Sequence, residues 1–197
     1  MVYFAKVPAP GRVKTRLVPP LTELEASHLY TAFLVEVVTP IEGARTLVYG
    51  WPEEALHELE ALTPDGVELR PQHGEDLWAR MQSCMAELFA EGHRPVLIRN
   101  TDSPDLSPER VTEAIERSGD GVVVLGPDDG GGYYLISLSS DCPEFFADMQ
   151  EDSATTFAQS VSRAGGLGLR VEVLPVESDV DTFDDLVRMW RRRRDSG

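Results

Sequence analysis

Two kinds of segment alternate along this chain of 197 residues: short apolar runs and longer runs with helical periodicity. The apolar runs are rich in Val, Ile, Leu and Tyr, as buried strands are. They span residues 2–5, 45–49, 67–69, 95–98, 122–125, 133–138 and 171–174. The helical segments span residues 23–38, 52–62, 75–90, 108–117, 153–164 and 183–193. This alternation predicts a three-layer α/β/α, Rossmann-like fold with a mostly parallel sheet, in which ligands bind at the carboxyl ends of the strands.

One interval breaks the alternation. Only residues 126–132 separate the apolar runs at 122–125 and 133–138, and a segment of that length is too short for a crossover helix. It predicts that one strand of the otherwise parallel sheet runs antiparallel. No internal repeat or low-complexity linker divides the sequence, so we expect one domain over residues 1–197.

The overall charge restricts the partners. A formal net charge of -16 repels nucleic acid and anionic membrane surfaces. No stretch reaches the roughly 20 apolar residues that a membrane helix needs, and the first residues lack the features of a signal peptide. The two cysteines fit no metal spacing, which suits a reducing compartment. We therefore expect a cytoplasmic protein, monomeric or homodimeric, that binds small molecules rather than nucleic acid or membranes.

Positive charge is concentrated at the start of the chain. The first 22 residues contain no acidic residue but hold four basic ones, Lys6, Arg12, Lys14 and Arg16. Lys6 and Lys14 are also the only lysines of the chain, and lysine differs from arginine in being a compact point charge on a flexible stem. The loop follows the first strand, where this architecture binds ligands. It therefore predicts a phosphate site, the alternative being a solvated loop with a chance cluster of charge.

This loop matches neither of the common nucleotide-binding motifs. A Walker A motif requires glycine immediately before its lysine, and Val13 stands there. No G-x-G-x-x-G turn follows the first strand, so the sequence gives no support for a dinucleotide-dependent dehydrogenase.

Carboxylates follow two later strands. Asp102 comes just after the run at 95–98, and Asp181 lies between the run at 171–174 and the last helix. Both are expected at the same sheet edge as the basic loop, where one or two carboxylates and phosphate oxygens would suit Mg²⁺. The alternatives are an Asx turn for Asp102 and a helix cap for Asp181. The glycines of residues 130–132 indicate either close approach of the backbone to a ligand or a tight reversal between strands.

Five motifs extend this reading over nearly the whole chain: FAKVPAPGRVKTRL at residues 4–17, QHGEDLWARM at 72–81, TDSPDL at 101–106, LGPDDGGGYYLISL at 125–138 and DVDTFDDL at 179–186. With them the chain resembles the bacterial radical-SAM/selenodomain-associated transferases, a family within the GT-A nucleotide-diphospho-sugar transferase superfamily. It is more remotely similar to phospholactate guanylyltransferases and molybdenum-cofactor nucleotidylyltransferases.

The resemblance implies a GT-A fold and a set of roles for the matched residues. Nucleotide contacts would come from Lys6, Pro8, Gly11, Arg12, Lys14, Arg16, Gln72 and Arg80. The metal, Mg²⁺ or Mn²⁺, would be held by Asp102 and Asp181, and catalysis would depend on Lys14 and Asp102. The acceptor would be bound by Asp129, Gly131, Gly132 and Tyr133.

Three positions depart from the family pattern. The family has glycine where this chain has Asn100 and Trp78, and Trp78 is expected to add bulk beside the pocket. It has aspartate where this chain has Gly130, and Asp129 is the candidate to replace that carboxylate. If Asp129 does not replace it, the protein could bind nucleotide without turnover.

The residues and the resemblance together favour a metal-dependent nucleotidylyltransferase that uses a nucleoside triphosphate and a small phosphorylated acceptor. The basic loop carries more charge than a diphosphate donor requires, which favours nucleotidyl transfer over its first rival, a glycosyltransferase that uses an NDP-sugar. The second rival is a nucleotide-binding module without activity.

Overall fold

The computed structural model describes residues 1–150 and 154–196. Seven strands form one sheet in the order β3-β2-β1-β4-β6-β5-β7. Their bounds are β1 Val2–Lys6, β2 Leu47–Trp51, β3 Glu68–Pro71, β4 Val96–Arg99, β5 Val122–Pro127, β6 Tyr133–Leu138 and β7 Arg170–Val173. Only β6 runs antiparallel to its neighbours, β4 and β5. The predicted mostly parallel sheet with one antiparallel strand is confirmed.

Helices cover both faces of this sheet. Their bounds are α1 Glu23–Val37, α2 His57–Glu60, α3 Leu77–Ala90, α4 Pro108–Arg117, α5 Thr156–Gly166 and α6 Phe183–Ser196, with short 3-10 helices at Thr15–Leu17, Glu53–Ala55 and Pro143–Phe145. Successive strand residues point to opposite faces, so Tyr3 packs in the cluster that holds Tyr30 of α1, whereas Val2 packs in the cluster that holds Met85 of α3. The three-layer arrangement is therefore confirmed.

Capping residues set the ends of the helices. Thr22 and Glu25 form a capping box at α1, and Ser107 caps α4 with Pro108 at the first helical position, as the sequence predicts. Helix α3 begins at Leu77 instead of residue 75 because the carboxylate of Asp76 accepts a hydrogen bond from the backbone N–H of Ala79 (2.8 Å).

Two helical predictions require correction. The segment predicted at residues 52–62 contains only the 3-10 turn Glu53–Ala55 and the single turn α2, because Leu59 is its one fully buried side chain. The predicted start at residue 153 lies outside the described residues, and α5 is described from Thr156. No helix in the described part of the chain is long and apolar enough to cross a membrane.

Residues 128–132 make the reversal between β5 and β6. The Asp128 carboxylate accepts hydrogen bonds from the backbone N–H groups of Gly130 (2.9 Å) and Gly132 (2.8 Å). A Cβ on Gly132 would lie 2.6 Å from that carboxylate. The glycines here pack a tight turn around Asp128, which is the structural alternative that the sequence left open.

Candidate functional site

A cavity of about 350 Å³ opens at the carboxyl ends of β1 and β4. Chain order reverses at this point, because β1 lies between β2 on one side and β4 on the other. Such a switch point is where open α/β sheets bind ligands. Nine of the predicted site residues line the cavity: Lys6, Arg12, Lys14, Arg16, Gln72, Arg80, Asp102, Tyr133 and Asp181.

Lys14 lies at the centre of the charged side of the cavity. Its Nζ is 2.6 Å from Oδ1 of Asp102, 3.3 Å from Oδ1 of Asp181 and 2.7 Å from the carbonyl oxygen of Val180. The side chain is only 4% exposed. Burial alone lowers the pKa of this ammonium, but the two carboxylates outweigh burial and raise the pKa above its usual range. Lys14 is therefore charged at every physiological pH.

Asp102 and Asp181 are held side by side by their backbones. The N–H of Val180 donates to the carbonyl oxygen of Asp102 (3.0 Å), which joins the loop after β4 to the loop before α6. About a third of each carboxylate side chain stays exposed, 37% for Asp102 and 35% for Asp181. Arg16 reaches the second oxygen of Asp181 (3.1 Å) from the rim. Both carboxylates can therefore accept a further ligand from the cavity.

The helix-cap alternative for Asp181 is wrong. Thr182 and Asp185 form the reciprocal pair at the start of α6: the Thr182 N–H donates to Oδ2 of Asp185 (2.6 Å), and the Asp185 N–H donates to Oγ1 of Thr182 (3.4 Å). For Asp102, the part of the chain that the structure describes contains no hydrogen bond from its own loop to the carboxylate, so an Asx turn does not account for it either. Neither carboxylate is used by local structure.

Three cations of the cavity lack an acidic partner. Within residues 1–150 and 154–196, no carboxylate lies within 4 Å of the charged groups of Lys6, Arg12 or Arg80. The Arg80 guanidinium lies over the indole of Trp51 at 5.1 Å, and its buried Nε has no hydrogen-bond partner among the residues that the structure describes. In a chain of net charge -16, uncompensated cations around one cavity indicate an anionic ligand.

Sequence reasoning missed the residues that join the loops beneath the cavity. The Tyr30 hydroxyl accepts a hydrogen bond from the Lys6 N–H (3.0 Å) and lies 2.9 Å from the Thr101 hydroxyl. Tyr30 is one more buried position of α1 in the sequence, and only its hydroxyl among apolar neighbours could have marked it. It connects the basic loop to the loop that carries Asp102.

Gln72 and Asn100 use their amides differently. The Gln72 amide donates to the carbonyl oxygens of Ala5 (3.2 Å) and Tyr49 (2.7 Å), so it ties β1 to β2 at the cavity wall. Oδ1 of Asn100 is buried with no hydrogen-bond partner in the described chain, and Asn100 lines the cavity. The amide of Asn100 is therefore available to a ligand that supplies a donor.

Several predicted residues lie outside the cavity lining. Pro8 and Gly11 belong to the basic loop but do not line the cavity. Of the four predicted acceptor residues, only Tyr133 lines the cavity. Gly131 and Gly132 belong to the turn around Asp128, and the Asp129 carboxylate accepts a hydrogen bond from the Ser178 hydroxyl (3.1 Å). A ligand role for these residues stays a prediction.

Trp78 does not stand beside the cavity. It is 4% exposed and packs in the apolar cluster beneath the sheet. Its ring centroid is 6.4 Å from that of Tyr133, which does line the cavity. The bulk of Trp78 can therefore act on the cavity only indirectly, through lining neighbours such as Tyr133.

Negative charge exceeds positive charge around Lys14. Burial, followed by the charges of Asp181 and Asp128, raises the pKa of the Asp179 carboxyl to about 7. Burial also raises the pKa of Asp128. Even so, among the described residues no three His, Cys, Asp or Glu side chains gather closely enough to hold a metal ion alone. A metal at this cavity could be held by the two carboxylates of Asp102 and Asp181 only together with oxygen atoms from a ligand or water.

Comparison with protein families matches residues 34–153 to the family described as "Uncharacterized protein conserved in bacteria (DUF2064)". Among solved structures, a candidate nucleotide-diphospho-sugar transferase from Desulfovibrio desulfuricans G20 is 30% identical, with a TM-score of 0.89 over 100% of this chain and 87% of that one. Comparison with curated proteins gives no match.

Two more distant structures share the fold. The molybdopterin-guanine dinucleotide biosynthesis protein A of Archaeoglobus fulgidus is 14% identical, with a TM-score of 0.59 over 99% of this chain and 100% of that one. A protein of Mycobacterium tuberculosis H37Rv in complex with manganese is 18% identical, with a TM-score of 0.56 over 96% and 98%. The association with radical-SAM proteins is not addressed by any of these likenesses and stays a prediction.

Proposed function

This chain belongs to the bacterial protein family DUF2064, and on that premise we propose that it is a metal-dependent, nucleotide-using transferase. More specifically, we propose a nucleotidylyltransferase that acts on a small phosphorylated acceptor. The names of the structurally similar proteins, which include nucleotide-diphospho-sugar transferases and nucleotide-handling biosynthetic enzymes, support the general class.

One observation carries the proposal. Three cations without an acidic partner among the described residues, Lys6, Arg12 and Arg80, line the same cavity as the carboxylates of Asp102 and Asp181 at the switch point of the sheet. A phosphate chain needs cations on its outer oxygens, and a divalent metal bound to that chain needs carboxylates. An arrangement that served only stability would give these three cations acidic partners as well, since unpaired charge in a cavity gains little.

The donor set fits Mg²⁺ or Mn²⁺. Both carboxylates already converge on a cation, the Lys14 ammonium, and all their donor atoms are oxygens, the ligands that Mg²⁺ prefers. Mg²⁺ commonly takes one or two protein carboxylates and completes its shell with phosphate oxygens and water. When bound, the metal neutralises phosphate charge in the reaction.

The residues of the chain supply binding and orientation. Lys6, Arg12 and Arg16 bind the phosphates, and Arg80 with Trp51 also lines the cavity. An oxygen of the acceptor phosphate forms a bond to the α-phosphorus of the nucleotide while the bond to the bridging oxygen breaks. Pyrophosphate then leaves with that oxygen and its electron pair. The basic groups stabilise the leaving charge without a covalent enzyme intermediate.

A glycosyltransferase is the second candidate. The name of the Desulfovibrio protein, at 30% identity, favours it, and the same carboxylates would then hold a metal on the diphosphate of an NDP-sugar. The number of cations favours the triphosphate instead, because Lys6, Arg12, Arg16 and Arg80 surround the cavity in addition to Lys14.

The test is a two-step assay. Thermal shift against nucleoside triphosphates and NDP-sugars, with and without Mg²⁺ or Mn²⁺, identifies the donor, since a ligand at 100 times its Kd adds about 2.7 kcal/mol. Turnover is then followed by phosphorus NMR with a panel of small phosphate esters as acceptors. Metal-dependent pyrophosphate supports the proposal, and sugar transfer without pyrophosphate supports the second candidate. Nucleotide binding without any product identifies a binding module.

A further inference from the structure

The Lys14 ammonium occupies the position that a metal ion would take. It has three N–H donors and three oxygen partners: it donates hydrogen bonds to Asp181 and to the carbonyl oxygen of Val180, and it forms an ion pair with Asp102 at 2.6 Å. In this arrangement the Lys14 ammonium is directed at these partners, although its place in the basic loop predicts that it binds a phosphate.

A divalent cation and this ammonium exclude each other. The carboxylates of Asp102 and Asp181 both contact the Lys14 ammonium, so a divalent ion held by the same two carboxylates would compete with Nζ for them. The two positive charges would also repel each other at close range. Arg16 contacts the other oxygen of Asp181 and is 63% exposed, so it can remain when the metal binds.

The metal alone is a poor replacement for the ammonium. It would gain two carboxylates and, within residues 1–150 and 154–196, no third acidic, His or Cys side chain, while Lys14 would lose every polar contact of its buried ammonium. A polyphosphate removes both disadvantages, because its oxygens complete the metal shell and offer the displaced ammonium a new anionic partner. The lysine stem is flexible enough for that movement.

We propose, on the basis of the proposed function, that Lys14 is a specificity-determining residue which yields the Asp102–Asp181 position to a divalent metal only when the metal arrives with a chelating polyphosphate. The ligand class that this selects is a nucleoside diphosphate or triphosphate in complex with its metal. A monophosphate cannot chelate the metal through adjacent phosphates and does not qualify. By linkage, metal and polyphosphate each raise the affinity for the other.

The first experiment measures Mn²⁺ affinity by electron paramagnetic resonance, with Mn²⁺ alone, with inorganic tripolyphosphate and with orthophosphate. The reference is the affinity of tripolyphosphate itself for Mn²⁺, measured without protein. In the unaltered protein, tripolyphosphate should raise the affinity of the site for Mn²⁺ by about 10-fold or more, and orthophosphate should not. In Lys14→Met, which keeps the stem and removes the charge, Mn²⁺ alone should bind about 10-fold more tightly than in the unaltered protein, and the gain from tripolyphosphate should shrink.

Arg16→Met is the matched control. It also removes one positive charge that contacts Asp181, but that charge does not occupy the position between the two carboxylates. If Arg16→Met strengthens binding of Mn²⁺ alone as much as Lys14→Met does, a general charge effect explains the result and the inference fails. If the unaltered protein binds Mn²⁺ equally well with and without tripolyphosphate, this inference fails while the metal site stands. If no variant binds Mn²⁺ under any condition, the proposed function fails as well.

A second measurement needs no variant. Lys6 and Lys14 are the only lysines, so ¹⁵N-lysine labelling gives two side-chain ammonium signals in an NMR spectrum. The Lys14 signal should shift with Mg²⁺ and tripolyphosphate together but not with Mg²⁺ alone. Movement of that signal by saturating Mg²⁺ alone, or no movement with both ligands, would overturn the inference even if Lys14→Met failed to fold.

Discussion

Two groups of charged side chains in this molecule contain similar residues but differ in how completely their acids are paired with basic groups. The first, the Arg70 network, lies at the β3 edge of the sheet and contains Arg45, Glu68, Arg70, Glu87 and Glu91. The second, the Lys14 cluster, lies at the cavity and contains Lys14, Arg16, Asp102, Asp128, Asp179 and Asp181. Both contain more acids than bases.

The Arg70 network satisfies its acids. Arg70 donates to Glu68 (2.7 Å), Glu87 (2.6 Å) and Glu91 (2.6 Å) at once, as the guanidinium fork allows. Hydrogen bonds from Arg70 lower the pKa of Glu91, and those from Arg45 and Arg70 outweigh burial to lower the pKa of Glu68. Because Arg70 contacts three carboxylates at once, a ligand that replaced one of these contacts would leave the other two in place.

The Lys14 cluster does not satisfy its acids. The pKa of Asp179 is raised to about 7, first by burial and then by the charges of Asp181 and Asp128, which the opposing charge of Lys14 does not offset. Its central cation is a point charge, in a chain whose remaining basic residues outside the first loop are all arginine. The acids of the Arg70 network share hydrogen bonds that stabilise the fold, whereas the Lys14 cluster has four acids for two bases and a central cation suited to exchange.

The sharpest contrast should come from removing one carboxylate from each group. Asp102→Asn should lower turnover of the identified substrate by about 100-fold or more, because it removes one of the two carboxylates proposed to hold the metal. Glu87→Gln, the matched change in the Arg70 network, should leave turnover unchanged. Both variants are measured by pyrophosphate release at saturating substrate and metal. Comparable turnover in the two variants would abolish the functional distinction between the groups.

Removal of Arg70, the central cation of the Arg70 network, should affect the stability of the fold. Arg70→Gln should lower the free energy of unfolding by about 1–3 kcal/mol, because it leaves three carboxylates close together without their shared donor. The control is Arg170→Gln on edge strand β7, where the arginine is 69% exposed and pairs with Glu172 alone, so the loss should stay within about 0.5 kcal/mol. Urea unfolding measures both. Equal losses would show that Arg70 contributes no more than an ordinary surface pair.

The effect of Arg70 should also depend on pH in a definite direction. Because the folded-state pKa values of Glu68 and Glu91 are lowered, their contribution is fully present above the unfolded value of 4.5 and is lost as the pH falls through the folded values. The difference in Tm between the unaltered protein and Arg70→Gln should therefore be largest near neutral pH and narrow below about pH 4. A difference that stays constant down to about pH 3 would remove the electrostatic explanation.

The sequence predicts the fold well where the pattern is long and periodic. Alternating segments give the parallel sheet, and the short interval at residues 126–132 identifies the antiparallel strand β6. It fails at residues 52–62, where Leu56 and Leu59 pack over Gly50 in a short turn. A Cβ on Gly50 would lie 2.5 Å from each of these leucines. That packing depends on a strand distant in sequence, which periodicity does not report.

The candidate site is predictable as a set of positions but not as a set of contacts. The argument that carboxyl ends of parallel strands share one edge brings Lys14, Asp102 and Asp181 together. The same argument cannot show that the Lys14 ammonium contacts these carboxylates. That contact depends on the left-handed backbone of Lys14 (φ 47°) and on the burial of its side chain. Tyr30 is missed for a related reason, since its contact with Thr101 arises from the packing of α1 on the sheet.

The smallest expected effect concerns Gly130, where the family pattern has aspartate. The φ angle of Gly130 is not positive, so other residues fit its backbone, and an added Cβ would lie 3.3 Å from Oδ1 of Asp128. Gly130→Asp therefore adds a carboxylate to a region already short of positive charge and should cost about 0.5–1 kcal/mol of unfolding free energy at pH 8 without metal. Gly130→Asn has the same shape without the charge and should cost less.

These two variants differ in charge but not in shape, so together they test whether position 130 belongs electrostatically to the Lys14 cluster. If the charge at position 130 lies within range of a metal held by Asp102 and Asp181, Mg²⁺ with tripolyphosphate should stabilise Gly130→Asp more than Gly130→Asn, and the gap between their Tm values should narrow. Thermal unfolding with and without the two ligands measures this. A gap that stays the same would mean that the charge at position 130 does not sense the metal position. In that case the acids of the turn around Asp128 would not belong to the same electrostatic group as Asp102 and Asp181.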